Sequence, residues 1–349
     1  MQGEARIAIN FENKLIIDVP EFSVKTTGLD IHGKADYAFD GSGLEKVQFT
    51  KVAIGRTKMK GALIPKPSGG WEAGFHGPAF DLSPIWKDIM VDDTAAKADH
   101  PFLDRLTLAA EFKKIWLDDV KNLYDVSGTF VRADNRWRTV LMSSRAGDDA
   151  YFDLQIQPRA DGRRNFSMHA NNAGEVFKVL DLYPNMIGGK LRIMGVYHDA
   201  QPGQPLKGNI VVDDYKIINA PALAHVFSIM SLTGILEALQ GQGLVFTKLN
   251  IPFQLSQGVF HLKDAKSTGA SLGFTASGKV FRHADIINLE GTVVPAYLIN
   301  SVLGRIPVLG NLLTGGEKGG GVFAATYTCL LYTSPSPRDA TLSRMPSSA

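Results

Sequence analysis

The sequence predicts a mainly β protein: a long, curved antiparallel sheet with a few short apolar helices packed at one face or end. Three observations carry this expectation. The dominant hydrophobic period is two, in short runs bounded by Gly, Pro and Asp. The connections between most runs are of hairpin length, and most runs are apolar on one face only. Glycine recurs inside the runs or at their ends, where a bulge or bend would curve a sheet.

Taken in order, alternation runs through 6–11, 14–25, 29–39, 51–64 and 70–77. It resumes at 106–117, 125–131, 138–144, 150–158 and 164–170, and again at 189–197, 208–217, 258–267, 271–280 and 287–294. Three segments break towards helix. Residues 171–184 place Val176, Phe177, Val179, Leu180 and Leu182 on one broad apolar face. Residues 219–241 open with Asn219 as a cap and Pro221 in the first turn, and glycines follow at the stop. Residues 295–313 are interrupted by Gly304 and Pro307, so two short helices with a bend are expected. Their apolar side either caps the sheet or rests on a membrane.

Composition bounds the function. With 349 residues and 44% hydrophobic side chains the chain can build a sizeable core in one large or two ordinary domains. A net charge of only +2 argues against nucleic acid as a partner. The basic clusters RADNRWR (132–138) and PRADGRRN (158–165) read as solvated turns. The only cysteine is Cys329. The opening residues carry no basic segment followed by an apolar run, so no secretory signal is expected in them. No run of about eighteen apolar residues predicts a spanning helix.

The motifs that carry chemistry are mostly missing. GFTASGKV (273–280) has the spacing of a phosphate loop, but Val280 stands where a hydroxyl should hold magnesium, and its alternation reads as a strand. There is no Gly-x-Ser-x-Gly elbow and no His-Glu-x-x-His pair. The eight histidines are scattered, with His169 and His261 on polar sides of strands and His225 in an apolar helix. The acidic doublets Asp118–Asp119 and Asp213–Asp214 would point to opposite faces in strands, which makes them poor acid–base pairs. GGEKGGG (315–321) reads as a turn. No enzyme, cofactor or metal is expected.

Three segments resemble a known family. NNAGEVFKVLDLYPNMIGGKLRIMG (171–195) is similar to the part of AsmA-like proteins where an Ala-Gly helix leads to a Gly-Gly pair and a strand. Residues 213–246 and 291–328 resemble the C-terminal region of the YhdP-type branch. The motif residues are Gly174, Gly188, Gly189, Pro295, Tyr297, Asn300, Pro307 and Gly310. Over 1–170 the likeness is thinner, with GFHGPAFDLSPIWKDI (74–89) as its clearest piece. The resemblance implies a β-sheet region at 1–170 and an AsmA-like C-terminal region at 171–328. It implies a Gram-negative envelope protein, periplasmic and held in the inner membrane by an N-terminal helix outside this sequence. Such proteins carry phospholipid between the inner and outer membranes on an apolar face, supporting the outer-membrane barrier. A TamB-like role in assembling outer-membrane proteins is the alternative.

CLLYTSPSPRD, which begins at Cys329, resembles one reading frame of a transposase-type sequencing adapter, and SRMPSSA resembles its continuation. Residues 329–349 are therefore expected to be a non-native tail that packs against nothing.

The candidate lipid-lining residues are Phe152, Leu154, Ile156, Phe166, Met168, Leu191, Ile193, Phe260, Leu262, Leu272 and Phe274. Closed by helices, such a face makes a core; left open, it makes a groove that acyl chains could fill.

Overall fold

In the computed structural model, residues 2–10, 16–38, 43–86, 104–134, 136–220, 224, 228, 233–281, 286–295 and 325–332 are described. They form one long, curved, unclosed sheet of 18 strands. The first six are β1 (Gln2–Asn10), β2 (Ile16–Thr26), β3 (Leu29–Ala38), β4 (Gly43–Ile54), β5 (Thr57–Pro65) and β6 (Trp71–Asp81). Next come β7 (Leu106–Trp116), β8 (Asn122–Ala133), β9 (Arg136–Arg145), β10 (Tyr151–Pro158), β11 (Arg164–Ala170) and β12 (Met186–Tyr197). The last six are β13 (Leu206–Ile217), β14 (Leu244–Ser256), β15 (Val259–Gly269), β16 (Leu272–Phe281), β17 (Ile286–Pro295) and β18 (Ala325–Tyr332). Short helices accompany them, among them α1 (Ala173–Val179) and α2 (Thr233–Gln240).

Each strand pairs with its neighbours in the chain, from β1–β2 to β17–β18. All these pairs are antiparallel except β6–β7, where Trp71 to Asp81 run parallel to Leu106 to Trp116. This departs from the all-antiparallel expectation. Parallel neighbours need a crossover of a dozen or more residues, and the stretch from 82 to 105 supplies it.

Two further departures have local causes. β4 begins at Gly43, and the run read as one strand at 51–64 is split by the two-residue turn Gly55–Arg56, where Gly55 has φ +53°. β14 is a strand that alternation did not reveal, because Pro252 lies inside it. Pro252 sits where the β14–β15 register shifts, between Asn250 and Phe253. Pro20 lies within the β2–β3 shift and Pro78 beside the β5–β6 shift. A residue without an amide donor is tolerated in a sheet at such irregularities. The phosphate-loop lookalike lies within strand β16.

The α1 helix forms where expected, capped by the Asn172 side chain, which accepts from the Glu175 amide at 3.2 Å. It buries Ala173, Gly174 and Val176 against the sheet. A Cβ on Gly174 would lie 2.4 Å from the Met186 carbonyl oxygen, so only glycine lets helix and β12 backbone approach this closely. Gly188 and Gly189 follow with φ of +68° and +91°. The α2 helix occupies the end of the expected 219–241 segment. Pro295 ends β17, while Tyr297, Asn300, Pro307 and Gly310, the 295–313 helix and GGEKGGG lie outside the described residues.

The tail expectation needs one correction. β18 continues through Cys329, Leu330, Leu331 and Tyr332, which pair with Leu289, Asn288, Ile287 and Ile286. The edge of β17 offers a row of unpaired backbone groups, and a ladder of that kind accepts a short apolar run whatever its side chains are. Residues 333–349 lie outside the described part.

Gly174→Ala should lower unfolding stability by about 1–3 kcal/mol, because its methyl meets backbone that cannot yield. Gly234→Ala in α2 meets nothing within 4 Å, so its change should be neutral or stabilising by up to about 1 kcal/mol. Denaturant melts of both variants check the contrast.

Candidate functional site: one apolar face across the sheet

Register places the predicted lining residues in rows that cross the strands. Phe152 pairs with Ala170, Ala170 with Leu191, Leu191 with Val212 and Val212 with Leu249. The next row is Leu154, Met168, Ile193, Ile210 and Ile251. The row after that begins Ile156, Phe166 and Gly195, and runs on through Gly208 and Phe253 to Leu262. Phe260 pairs with Leu255 and Val280. Side chains two residues apart share a face, so these rows form one apolar surface.

That surface has two zones. Next to α1 and α2 it is a closed core. Leu191, Leu272, Phe246 and Tyr215 are each no more than 2% exposed. The Tyr215 ring stacks on Phe246 at 5.2 Å, and Phe246 meets Phe274 edge-on at 5.5 Å. The Tyr215 hydroxyl finds Ser267 at 2.6 Å, so a polar group on the apolar face is satisfied. Burial raises the Tyr215 phenol well above its ordinary range. A β-bulge between Leu262 and Ala265 shifts the parity of β15 and brings Ser267 onto this side.

Further from the helices the face opens. Leu154, Phe166, Ile193, Phe260 and Leu262 are only half-buried. Phe152, Ile156 and Met168 are buried on the same face. Sheet curvature turns such neighbouring side chains towards one another. The first strands show the same economy. Phe22, Gly33, Phe49, Gly61 and Phe75 fall in one row, and a Cβ on Gly33 would meet the Phe22 ring at 2.5 Å. The rings thus lie over glycines on adjacent strands, a pairing visible only once the register is known.

A broad concavity of about 1070 Å³ lies mainly on the opposite face. Lys46, Lys60, His76, Glu111, Asp153 and Gln155 are among its walls. A twisted sheet is saddle-shaped, so each face is hollow along one diagonal. This dent is wide and its lining is mixed, with charged and polar side chains set among Ala62, Ala109 and Leu141. His169 projects to the same polar side, 3.2 Å from Asp153.

The basic clusters hold residues that sequence reasoning undervalued. Both are hairpin ends, but Arg132 and Arg164 are buried rather than solvated. Arg164 alternates with Phe166 and Met168, so it belongs to the apolar face. Its guanidinium donates a fork to Asp199 at 2.9 and 2.6 Å and a further bond to the Trp137 carbonyl at 2.6 Å. It also lies over the Tyr197 ring at 4.1 Å. Burial pushes the Asp199 carboxyl up, yet the Arg164 fork and nearby arginines outweigh it and hold the group below its ordinary value. Alternation read Arg164 as the first residue of a strand; its partner on a turn 35 residues away was invisible.

Among the described residues no group of three or more His, Cys, Asp or Glu is placed to hold a metal ion. No described helix is long and apolar enough to cross a membrane. Set against protein-family models, curated proteins and solved structures, the chain matches none.

Two predictions follow from the zoning and the ion pair. Leu191→Ala should cost about 2–5 kcal/mol, because it empties a sealed site. Ile193→Ala, two residues along the same face, should cost clearly less in the same urea melt. Asp199→Asn should destabilise by about 3–5 kcal/mol at neutral pH, since it strands the buried Arg164 charge. The stability Asp199 contributes is present above the ordinary carboxylate value, about 3.9, and drains as pH falls through the depressed folded value. Wild type and variant should therefore converge in acid, and a gap that widens there would refute the assignment.

Proposed function

We propose that the open zone of the apolar face binds lipid acyl chains and conducts phospholipid without enzymatic chemistry. The observation that carries this reading is the set of half-buried residues Leu154, Phe166, Ile193 and Leu262, interleaved with buried Met168 and Phe253 in apolar rows across strands that no second sheet covers among the described residues. An apolar strip of that length is costly in water. Each acyl methylene laid on it recovers about 0.8 kcal/mol. The likeness of 171–195, 213–246 and 291–328 to AsmA-like proteins of the YhdP type supports the same reading. It adds the setting: a periplasmic, inner-membrane-anchored protein moving phospholipid towards the outer membrane.

A second reading rests on the unclosed edges. β1 pairs only with β2 and β18 only with β17 among the described strands, which leaves each with one bare side. A TamB-like assembly factor would offer such an edge to a client strand. Site-specific crosslinks from β1 to a barrel protein would favour it.

Ile193→Asp tests the groove. With the face open, water reaches the carboxylate in the lipid-free protein, so folding should survive. The carboxylate would then lie among acyl chains without a partner, so lipid that co-purifies with the wild type should be largely lost. Thermal melts and lipid extraction read both. A folded variant that carries as much lipid as the wild type defeats the groove.

A further inference from the structure

The clusters 132–138 and 158–165 come from separate hairpins, β8–β9 and β10–β11, yet they converge at one margin of the sheet. Asp199, from the turn between β12 and β13, gathers them. Arg164 forks onto it, and Arg136 Nη1 lies 3.9 Å from it. Arg138 pairs with Asp134 at 2.6 Å, and Arg159 and Arg163 share Asp161 at 3.3 and 2.6 Å. The Arg132 guanidinium stands 5.7 Å from the Trp137 ring, and that ring is 6.1 Å from Phe130. Five arginines thus share three aspartates and a sixth, Arg132, lies beside them, so the margin is cationic.

This margin adjoins the apolar face directly, beside buried Ile156 and half-buried Phe166. Ile156 and Phe166 are each two residues from the last pair of the β10–β11 ladder, Pro158 and Arg164, and Phe130 is two from Arg132. Across the sheet, the opposite margin is closed by α1 and α2. The open face is therefore an apolar floor with a cationic lip on one side only.

A guanidinium is a planar fork of donors that matches a phosphate with two parallel bonds, and its charge persists at any physiological pH. An amphiphile with acyl chains and an acidic head satisfies both parts at once: tails on Phe166 and Ile193, head at the lip. We propose that Arg136 and Arg138, braced by the buried Arg164–Asp199 pair, form a headgroup site for the phosphate of an acidic lipid held on the apolar face. The site rests on the lipid-groove reading. Arg136 and Arg138 are partly exposed on the β9 side of Asp199, Arg159 and Arg163 lie further out on their own hairpin, and Arg164 acts through position and not by contact.

The test uses the full chain with vesicles of phosphatidylcholine, alone or mixed with phosphatidylglycerol. Wild type should favour the mixed vesicles, and added salt should weaken that preference. Arg136→Ser with Arg138→Ser should lower affinity for mixed vesicles on the order of tenfold and leave phosphatidylcholine uptake unchanged. Asp134→Asn removes the carboxylate that competes for Arg138, so it should strengthen binding to mixed vesicles. This gain keeps the test decisive if the double variant fails to fold. Lys60→Ser, on the polar face, should change neither. An unchanged preference in the double variant, with lipid uptake intact, overturns the headgroup site alone. Loss-free lipid uptake by Ile193→Asp overturns the groove beneath it. Two further results also overturn the proposal: inorganic phosphate bound by a wild type that takes up no lipid, or a short RNA bound more tightly than mixed vesicles at equal salt.

Discussion

Every strand of this protein hydrogen-bonds to its chain neighbours, and no second sheet closes over the apolar side among the described residues. That constraint governs the rest. A one-faced strand must bury its apolar side against something, and a single sheet can offer only its own curvature and whatever short elements lie on it. Helices α1 and α2 close one margin, and there side chains are almost wholly excluded from water. Elsewhere the residues crowd one another along a bent surface and stay partly wet. The division between sealed core and open strip is thus a consequence of how little covers the sheet.

The same constraint explains the irregularities. A sheet this long must twist and bend continuously, and regular pairing cannot do both. Register shifts recur at Pro20, Pro78 and Pro252, where a missing amide donor would interrupt a regular ladder. Glycines 33 and 61 stand between phenylalanines on neighbouring strands, so aromatic rings fill space that a methyl would need. Among the described strands only β6 and β7 depart from antiparallel pairing, across the connection 82–105.

The cationic margin shows how polar groups coexist with an apolar face. Arg164 lies on the same side as Phe166 and Met168 and is tolerated because Asp199 and the Trp137 carbonyl occupy its donors and Tyr197 covers its plane. Desolvation strengthens that pair and makes it costly to break. It also fixes two hairpin ends to the turn that carries Asp199, and so holds several arginines together despite their mutual repulsion.

The sequence by itself determined the β class, the single apolar face of most strands, and the place of the docking helix at 171–184, though not its Asn172 cap. These are local properties: alternation, capping and turn residues act within a few positions. It also placed Phe152, Leu154, Ile156, Phe166, Met168, Leu191, Ile193, Leu272 and Phe274 on common faces of their own strands. Only the tertiary structure decided that these faces join in register, and that Leu191 is sealed while Ile193, two residues on, is half open. It alone revealed β14 despite Pro252, the parallel β6–β7 pair, and the meeting of two arginine clusters around Asp199. Each of these depends on which strand lies beside which and on how the sheet bends. Partners so distant in the chain leave no local pattern, because their contact energy appears only once the sheet has formed.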